Sequence, residues 1–146
     1  MNCGSRMWET RPKEVMLRMR DITFRGKTID SEAWICGDLR QYKPGRAGIC
    51  NRDTCRTIKV GPDTIGQFTG LTDDDGIRIF EGDIVSGLFR FGMKKNALVT
   101  FKDGAFGLEW YRGDIAHFDA FTSICNVKYQ VLGNIYDNPE LLFKEE

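Results

Sequence analysis

His117 is the only histidine in the chain, and Asp114 and Asp119 stand close on either side of it. An imidazole beside carboxylates has the ingredients of acid–base catalysis, because it changes charge near neutral pH. No Ser or Cys stands in a nucleophile elbow, so no triad follows, and His117 is expected in a polar surface loop. Cys36, Cys50, Cys55 and Cys125 would together supply the four thiolates of a structural zinc site. Their spacing contains no paired knuckle, however. Cysteines scattered through strands are expected as small core residues with free thiols. With Cys3 the count is odd, and a chain of 146 residues does not depend on a disulfide framework. Asp73-Asp74-Asp75-Gly76 invites a calcium loop. With Gly76 at the sixth position a ligand would have to stand where Leu71 does, so a hairpin tip is expected instead. Glu81, Asp83 and Asp103 are the carboxylates expected near one another if the turn at Gly82 faces the turn at Asp103-Gly104. They would then make a general-acid pair or a magnesium site, although turns favour acidic residues without any ligand.

The remaining candidate is a basic stretch. Arg40, Lys43, Arg46, Arg52, Arg56 and Lys59 lie between Tyr42 and Phe68, a mixture that a nucleic-acid face uses. Against that, the pI is about 6.6 and the aromatics do not interleave with the charges as stacking platforms would. No glycine-rich phosphate loop is present. Nucleic-acid binding is therefore expected to be weak at most. The candidate interaction residues are Arg40, Tyr42, Lys43, Arg46, Arg52, Arg56, Glu81, Asp83 and Asp103. No catalytic, cofactor-binding or metal-binding residue is assigned, and no enzymatic activity is expected.

The elements that must position these residues are mostly short strands. Asp21 to Ile29 and Ala33 to Cys36 read as a hairpin around Asp30-Ser31-Glu32. Lys43 to Gly48 reads as a loop, since Pro44-Gly45 punctuates strongly. Thr54 to Val60 is a strand stopped by Gly61-Pro62, and Asp63 to Phe68 is expected as one helical turn capped by Asp63. Asp83-Ile84-Val85, Ala97 to Phe101, Phe106 to Tyr111 and Tyr129 to Tyr136 complete the strands, with Lys102-Asp103-Gly104 turning one into the next. Asn138-Pro139 has the cap and first-position residues of a helical start. Frequent glycine turns and no long amphipathic helix predict a small mainly β barrel or sandwich. No internal repeat is evident. Residues 1–60 carry thirteen Lys and Arg against seven Asp and Glu, and residues 61–146 carry eight against fourteen. The expectation is that the two halves interleave and mix these charges on one surface. No apolar run approaches a membrane span or a signal-peptide core, so a cytosolic location is expected.

Four groups of residues carry a resemblance. Phe24-Arg25-Gly26-Lys27 with Trp34 and Gly37-Asp38-Leu39 is the first. Thr64 to Leu71 followed by Ile79-Phe80-Glu81-Gly82-Asp83-Ile84-Val85 is the second. Phe101 with Asp103-Gly104-Ala105-Phe106 is the third, and Val131 to Leu142 is the last. In order and spacing, from about residue 19 to 142, they resemble the YopX family. That resemblance implies a protein of phages and prophages, working in the cytoplasm of a bacterial host. It implies an SH3-type small barrel or roll with additional hairpins and short helical turns, and no established catalytic residue. On this reading residues 1–18 are a peripheral or flexible extension and residues 19–146 form the β domain. The function expected is a non-enzymatic accessory module that binds an unidentified protein partner or itself; the alternative is a nucleic-acid-binding accessory protein using residues 40–59. Gly82 and Gly133 are expected to serve the fold, one in a turn and one at a bulge or close backbone approach.

Overall fold

The period-two alternation that opens at Ile22 becomes strand β1 (Phe24–Lys27), and a turn with Glu32 at φ 55° sends it back as β2 (Trp34–Lys43). Phe24 faces Gly37 and Lys27 faces Trp34 in this antiparallel pair. The structure, a computed structural model, describes residues 20–88, 94–121 and 128–143. The extension expected at residues 1–18 lies outside the described residues.

The hairpin expectation is met, but β2 runs past Cys36. The expected loop at Lys43–Gly48 contracts to Pro44 and Gly45, because Ala47 and Ile49 are drawn into the core as part of β3 (Arg46–Cys50). β4 (Thr57–Val60) follows, then a 3-10 turn over Pro62–Thr64. That turn begins a residue earlier than expected, and Asp63 does not cap it: the cap position is Gly61, and no side chain bonds there. Thr64 fixes the turn instead, its hydroxyl donating to the Gly61 carbonyl at 2.6 Å and accepting from the Lys27 N–H at 2.9 Å. The chain is already extended at Ile65, and Gly66 to Phe68 belong to β5 (Gly66–Thr72), where pairing with β1 replaces the helical bonds.

The tip at Asp73–Gly76 leads into β6 (Arg78–Phe80), as expected of a hairpin. Then come β7 (Asp83–Leu88), β8 (Lys94–Lys102), β9 (Ala105–Arg112), β10 (Ile115–Ala120) and β11 (Tyr129–Asn134). A 3-10 helix over Pro139–Phe143 ends the described chain. His117 therefore does not lie in a loop. It belongs to β10, paired with Trp110 of β9.

The protein is mainly β, built from two antiparallel sheets in the orders β4-β3-β2-β1-β5-β6 and β10-β9-β8-β7-β11. Neither ladder closes into a ring, so a closed barrel is not what the pairing gives. The first sheet does curl, because Thr28 forms a single bridge with Val60 and brings the end of β1 to the end of β4. Each sheet has its own core. Ala47, Ile49 and Val60 form one, with Phe24, Ile35, Leu39 and Ile65 against it. Ile79, Val85, Ala97, Val99 and Leu108 form the other. Ile79 comes from β6 of the first sheet, so the sheets are joined through a shared apolar residue. Burying each of the Ile, Val and Leu side chains contributes about 1.5–3 kcal/mol. The opposite face of the second sheet is covered by the last helix, where Leu142 is buried and Asn96 donates to the Leu141 carbonyl at 2.8 Å.

Candidate functional site: a junction cluster and a basic groove

The residues of the opening, central and closing motifs meet where the two sheets join. Arg25 of β1 reaches Asp83 of β7 with its guanidinium 2.7 Å from the carboxylate, and both side chains are nearly out of solvent. The guanidinium lies between two rings, 4.8 Å from the centre of Trp34 and 4.9 Å from that of Phe80. The other Asp83 oxygen accepts the Phe80 N–H at 2.8 Å, closing the Glu81-Gly82 turn. Burial pushes the Asp83 carboxyl up, and the Arg25 charge opposes that shift. Gly82 has φ 93°, as its place in the turn predicts, and a Cβ there would stand 3.0 Å from the Tyr136 ring. Beside it, Asp137 accepts from Lys27 Nζ at 2.6 Å and from the Trp34 indole N–H at 2.8 Å. These bonds, the one from Lys27 first, hold the Asp137 carboxyl at about 2. At the bulge between Val131 and Gly133, a Cβ on Gly133 would run into the Asn138 side chain, which is the close approach expected there. Asn138 turns its side-chain oxygen back to the Asn134 N–H rather than capping the helix that follows.

The expected carboxylate cluster is not assembled. Asp83 is committed to Arg25 and Phe80, and Glu81 accepts the Gln67 N–H at 3.3 Å. Asp103 sits at the tip between β8 and β9. Gly82 bonds to the Val99 carbonyl, four residues short of it on β8, which at about 3.3 Å per residue leaves Asp103 roughly 13 Å along the strand. Asp73 is a turn residue as expected, its carboxylate accepting from Asp75 and Ile77 at 2.9 and 2.8 Å. His117 stacks on Trp110 at 4.3 Å, and Asp119 accepts the Trp110 indole N–H at 2.8 Å. Among the described residues no three His, Cys, Asp or Glu side chains are grouped to hold a metal. Cys36 and Cys55 are exposed and Cys50 half-buried, so these three are not the core residues expected, while Cys3 and Cys125 lie outside the described residues. Cys36 stands on the face of β2 opposite the core-packed Ile35 and Leu39, and Cys55 lies in the turn between β3 and β4.

The basic stretch divides into cations with carboxylate partners and cations without. Arg52 is held by Asp38 at 2.8 Å and also bonds the Ile22 carbonyl. Arg56 precedes β4 at the end away from Lys59. Arg40 lies over the Tyr42 ring at 5.4 Å. Lys43 and Arg46 face each other across the β2–β3 turn, and with Lys59 they rim a groove of about 410 Å³. Its apolar lining comes from Ile29, Tyr42, Val60 and Pro62. Among the described residues the ion-paired cations are Arg25, Lys27, Arg52 and Arg78, and none of the three groove cations has a carboxylate partner. Ile29 and Pro62 were invisible as site residues in the sequence, since the meeting of the β1 and β4 ends around the Thr28–Val60 bridge brings them together. Phe68 does not join the groove; it packs against Phe80 with Arg78 over its ring.

The profile of the YopX protein family matches residues 6–143. No curated protein matches the chain. Among solved structures, the chain is similar to protein EF1440 from Enterococcus faecalis at 24% identity, covering 85% of this chain and 99% of that one with a TM-score of 0.48.

Proposed function

The chain belongs to the YopX family, and from that premise we propose that it is a non-enzymatic interaction module that grips an acidic segment of a protein partner in the Lys43–Arg46–Lys59 groove. The observation that carries this reading is the convergence of three cations without carboxylate partners on one apolar groove, while the ion-paired cations serve the fold. An acidic peptide with one apolar anchor matches that chemistry: carboxylates for the rim and a side chain for the Val60–Pro62 floor. A nucleic-acid strand fits less well, because one tyrosine, already covered by Arg40, offers no series of stacking platforms. We read strands β1 to β5 as the SH3-type roll of this module; the curl at Thr28–Val60 and the 3-10 turn before β5 support that reading. The setting proposed is the cytoplasm of a bacterium carrying a phage or prophage.

The test uses fluorescent peptides bearing a Leu or Phe flanked by glutamates, a lysine-flanked control, and a single-stranded oligonucleotide. The acidic peptides should bind, and the Lys43→Glu/Arg46→Glu variant should weaken them at least tenfold, about 1.4 kcal/mol. Both residues are on the surface, so the fold should survive. Oligonucleotide binding that exceeds peptide binding at physiological salt, with a steep salt slope, would replace this reading with the nucleic-acid one. No binding by any probe would remove the groove as the site.

A further inference from the structure

Asp73-Asp74-Asp75 is the one run of three adjacent acidic residues in the chain, and the fold holds it at the tip between β5 and β6. The Asp73 carboxylate is buried. It accepts the N–H groups of Asp75 and Ile77 at 2.9 and 2.8 Å, and that of Val131 at 3.1 Å. The Asp74 N–H donates to the Tyr129 carbonyl at 3.2 Å, so two bonds pin the tip to β11. Asp74 and Asp75 are exposed, and so is the Ile77 side chain that follows them, at 51%. The tip therefore presents two carboxylates and an apolar side chain on a backbone that is already fixed, and such a loop loses little conformational freedom on binding.

Resting on the groove reading above, we propose that the acidic segment it grips is this tip, entering the Lys43–Arg46–Lys59 groove from a second copy of the chain. The chemistry is complementary on both counts. Asp74 and Asp75 meet the three exposed cations of the rim, and Ile77 meets Ile29 and Tyr42, which are 60% and 51% exposed in the groove. The tip does not reach the groove of its own chain. β1 runs towards the Thr28–Val60 bridge beside the groove, and β5 pairs with it antiparallel. β5 therefore leaves from the groove, where Ile65 stands with Pro62 and Arg46, and carries the chain away. Asp74 follows nine residues after Ile65, on the order of 25–30 Å along the strand at about 3.3 Å per residue. The bonds to Tyr129 and Val131 keep it there, against the second sheet. Groove and tip are thus different surfaces at opposite ends of the first sheet, and a contact between them joins copies head to tail.

Sedimentation velocity of the full chain up to about 1 mM, at low and high salt, tests the contact. Association should rise with concentration and weaken with salt, because the paired charges are exposed. Asp74→Lys/Asp75→Lys and Lys43→Glu/Arg46→Glu should each raise the dissociation constant at least tenfold. An equimolar mixture of the two variants should associate again, since one keeps an intact groove and the other an intact tip. Glu145→Lys/Glu146→Lys makes the same change in net charge as the tip variant and should associate as the parent does. Thermal melts by circular dichroism check that every variant folds. The tip variant should still bind the acidic peptides, which separates this contact from the groove reading. A chain that stays monomeric but binds those peptides overturns the second copy as occupant and leaves the groove to another protein. A monomeric chain that binds none of them overturns both. Association indifferent to either pair of substitutions, or weakened as much by the Glu145→Lys/Glu146→Lys control, would also overturn the proposal.

Discussion

Asp83 shares one carboxylate between a guanidinium and a backbone N–H, and both partners are buried with it. Converting it to Asn leaves Arg25 in the sheet junction without a counter-charge, and the Arg25 Nε already lacks an acceptor. Breaking one side of a buried pair costs about 3–5 kcal/mol. Gly82→Ala places a Cβ at φ 93° and against Tyr136, a cost of about 1–2 kcal/mol. Glu81→Gln keeps an amide oxygen for the Gln67 N–H and should change little. Urea melts of the three variants should rank Asp83→Asn weakest, then Gly82→Ala, with Glu81→Gln near the parent. If Asp83→Asn melts with the parent, the junction is not a clamp. From the sequence the turn at Gly82 is legible, because a glycine between two strands implies its backbone angle. The weight on Asp83 is not legible: its partner Arg25 stands on another sheet, and spacing carries no information about such a pairing.

Turns and short elements show the same division. The tip at Asp73–Gly76 follows from Asp-Gly turn chemistry, but its grip on β11 does not, since β11 lies far along the chain. Hydrogen bonds to the Val131, Ile77 and Asp75 N–H groups hold the Asp73 carboxyl below its usual value, against the desolvation that pushes it up. Asp137 is the surface counterpart, tying the turn after β11 to the β1–β2 hairpin through Lys27 and Trp34. Its folded value of about 2 lies below the roughly 3.9 of an unfolded aspartate. The stability it contributes is fully present above about pH 4 and is lost as pH falls towards 2. Asp137→Asn should therefore flatten the fall of Tm between pH 4 and 2. The effect should be a few degrees at most, because the side chain is partly in water. Melts at half-unit pH steps check it, and a curve parallel to the parent's would mean that the Lys27–Asp137 tie contributes nothing.

At the scale of the whole molecule, the order β4-β3-β2-β1-β5 in one sheet recurs as β10-β9-β8-β7-β11 in the other. In each, four strands meander and a fifth returns to pair with the first. No residue repeat announces this, because strand order depends on which faces are apolar and not on shared side chains. The two halves interleave only at their boundary: β5 and β6, from the second half, complete the first sheet, and the later strands form the second. Charge is nonetheless mixed, since Asp63 and Asp73 to Asp75 fall within the first sheet, and residues 20–80 carry ten Lys and Arg against nine Asp and Glu. Two cores joined through Ile79 and the Arg25–Asp83 pair predict how the molecule unfolds. The second core has five buried residues and keeps Ile79, whereas the first has three. The parent should melt in one transition, with calorimetric and van't Hoff enthalpies equal. Arg25→Ala removes both the ion pair and the filling between Trp34 and Phe80, so the sheets should uncouple and the first should open earlier. In that variant amide exchange at Ile49 and Val60 should accelerate well beyond that at Val99 and Leu108, and the enthalpy ratio should depart from one. Equal acceleration across both cores would show that the molecule is a single cooperative unit held by its shared apolar contacts, with the ion pair adding only stability.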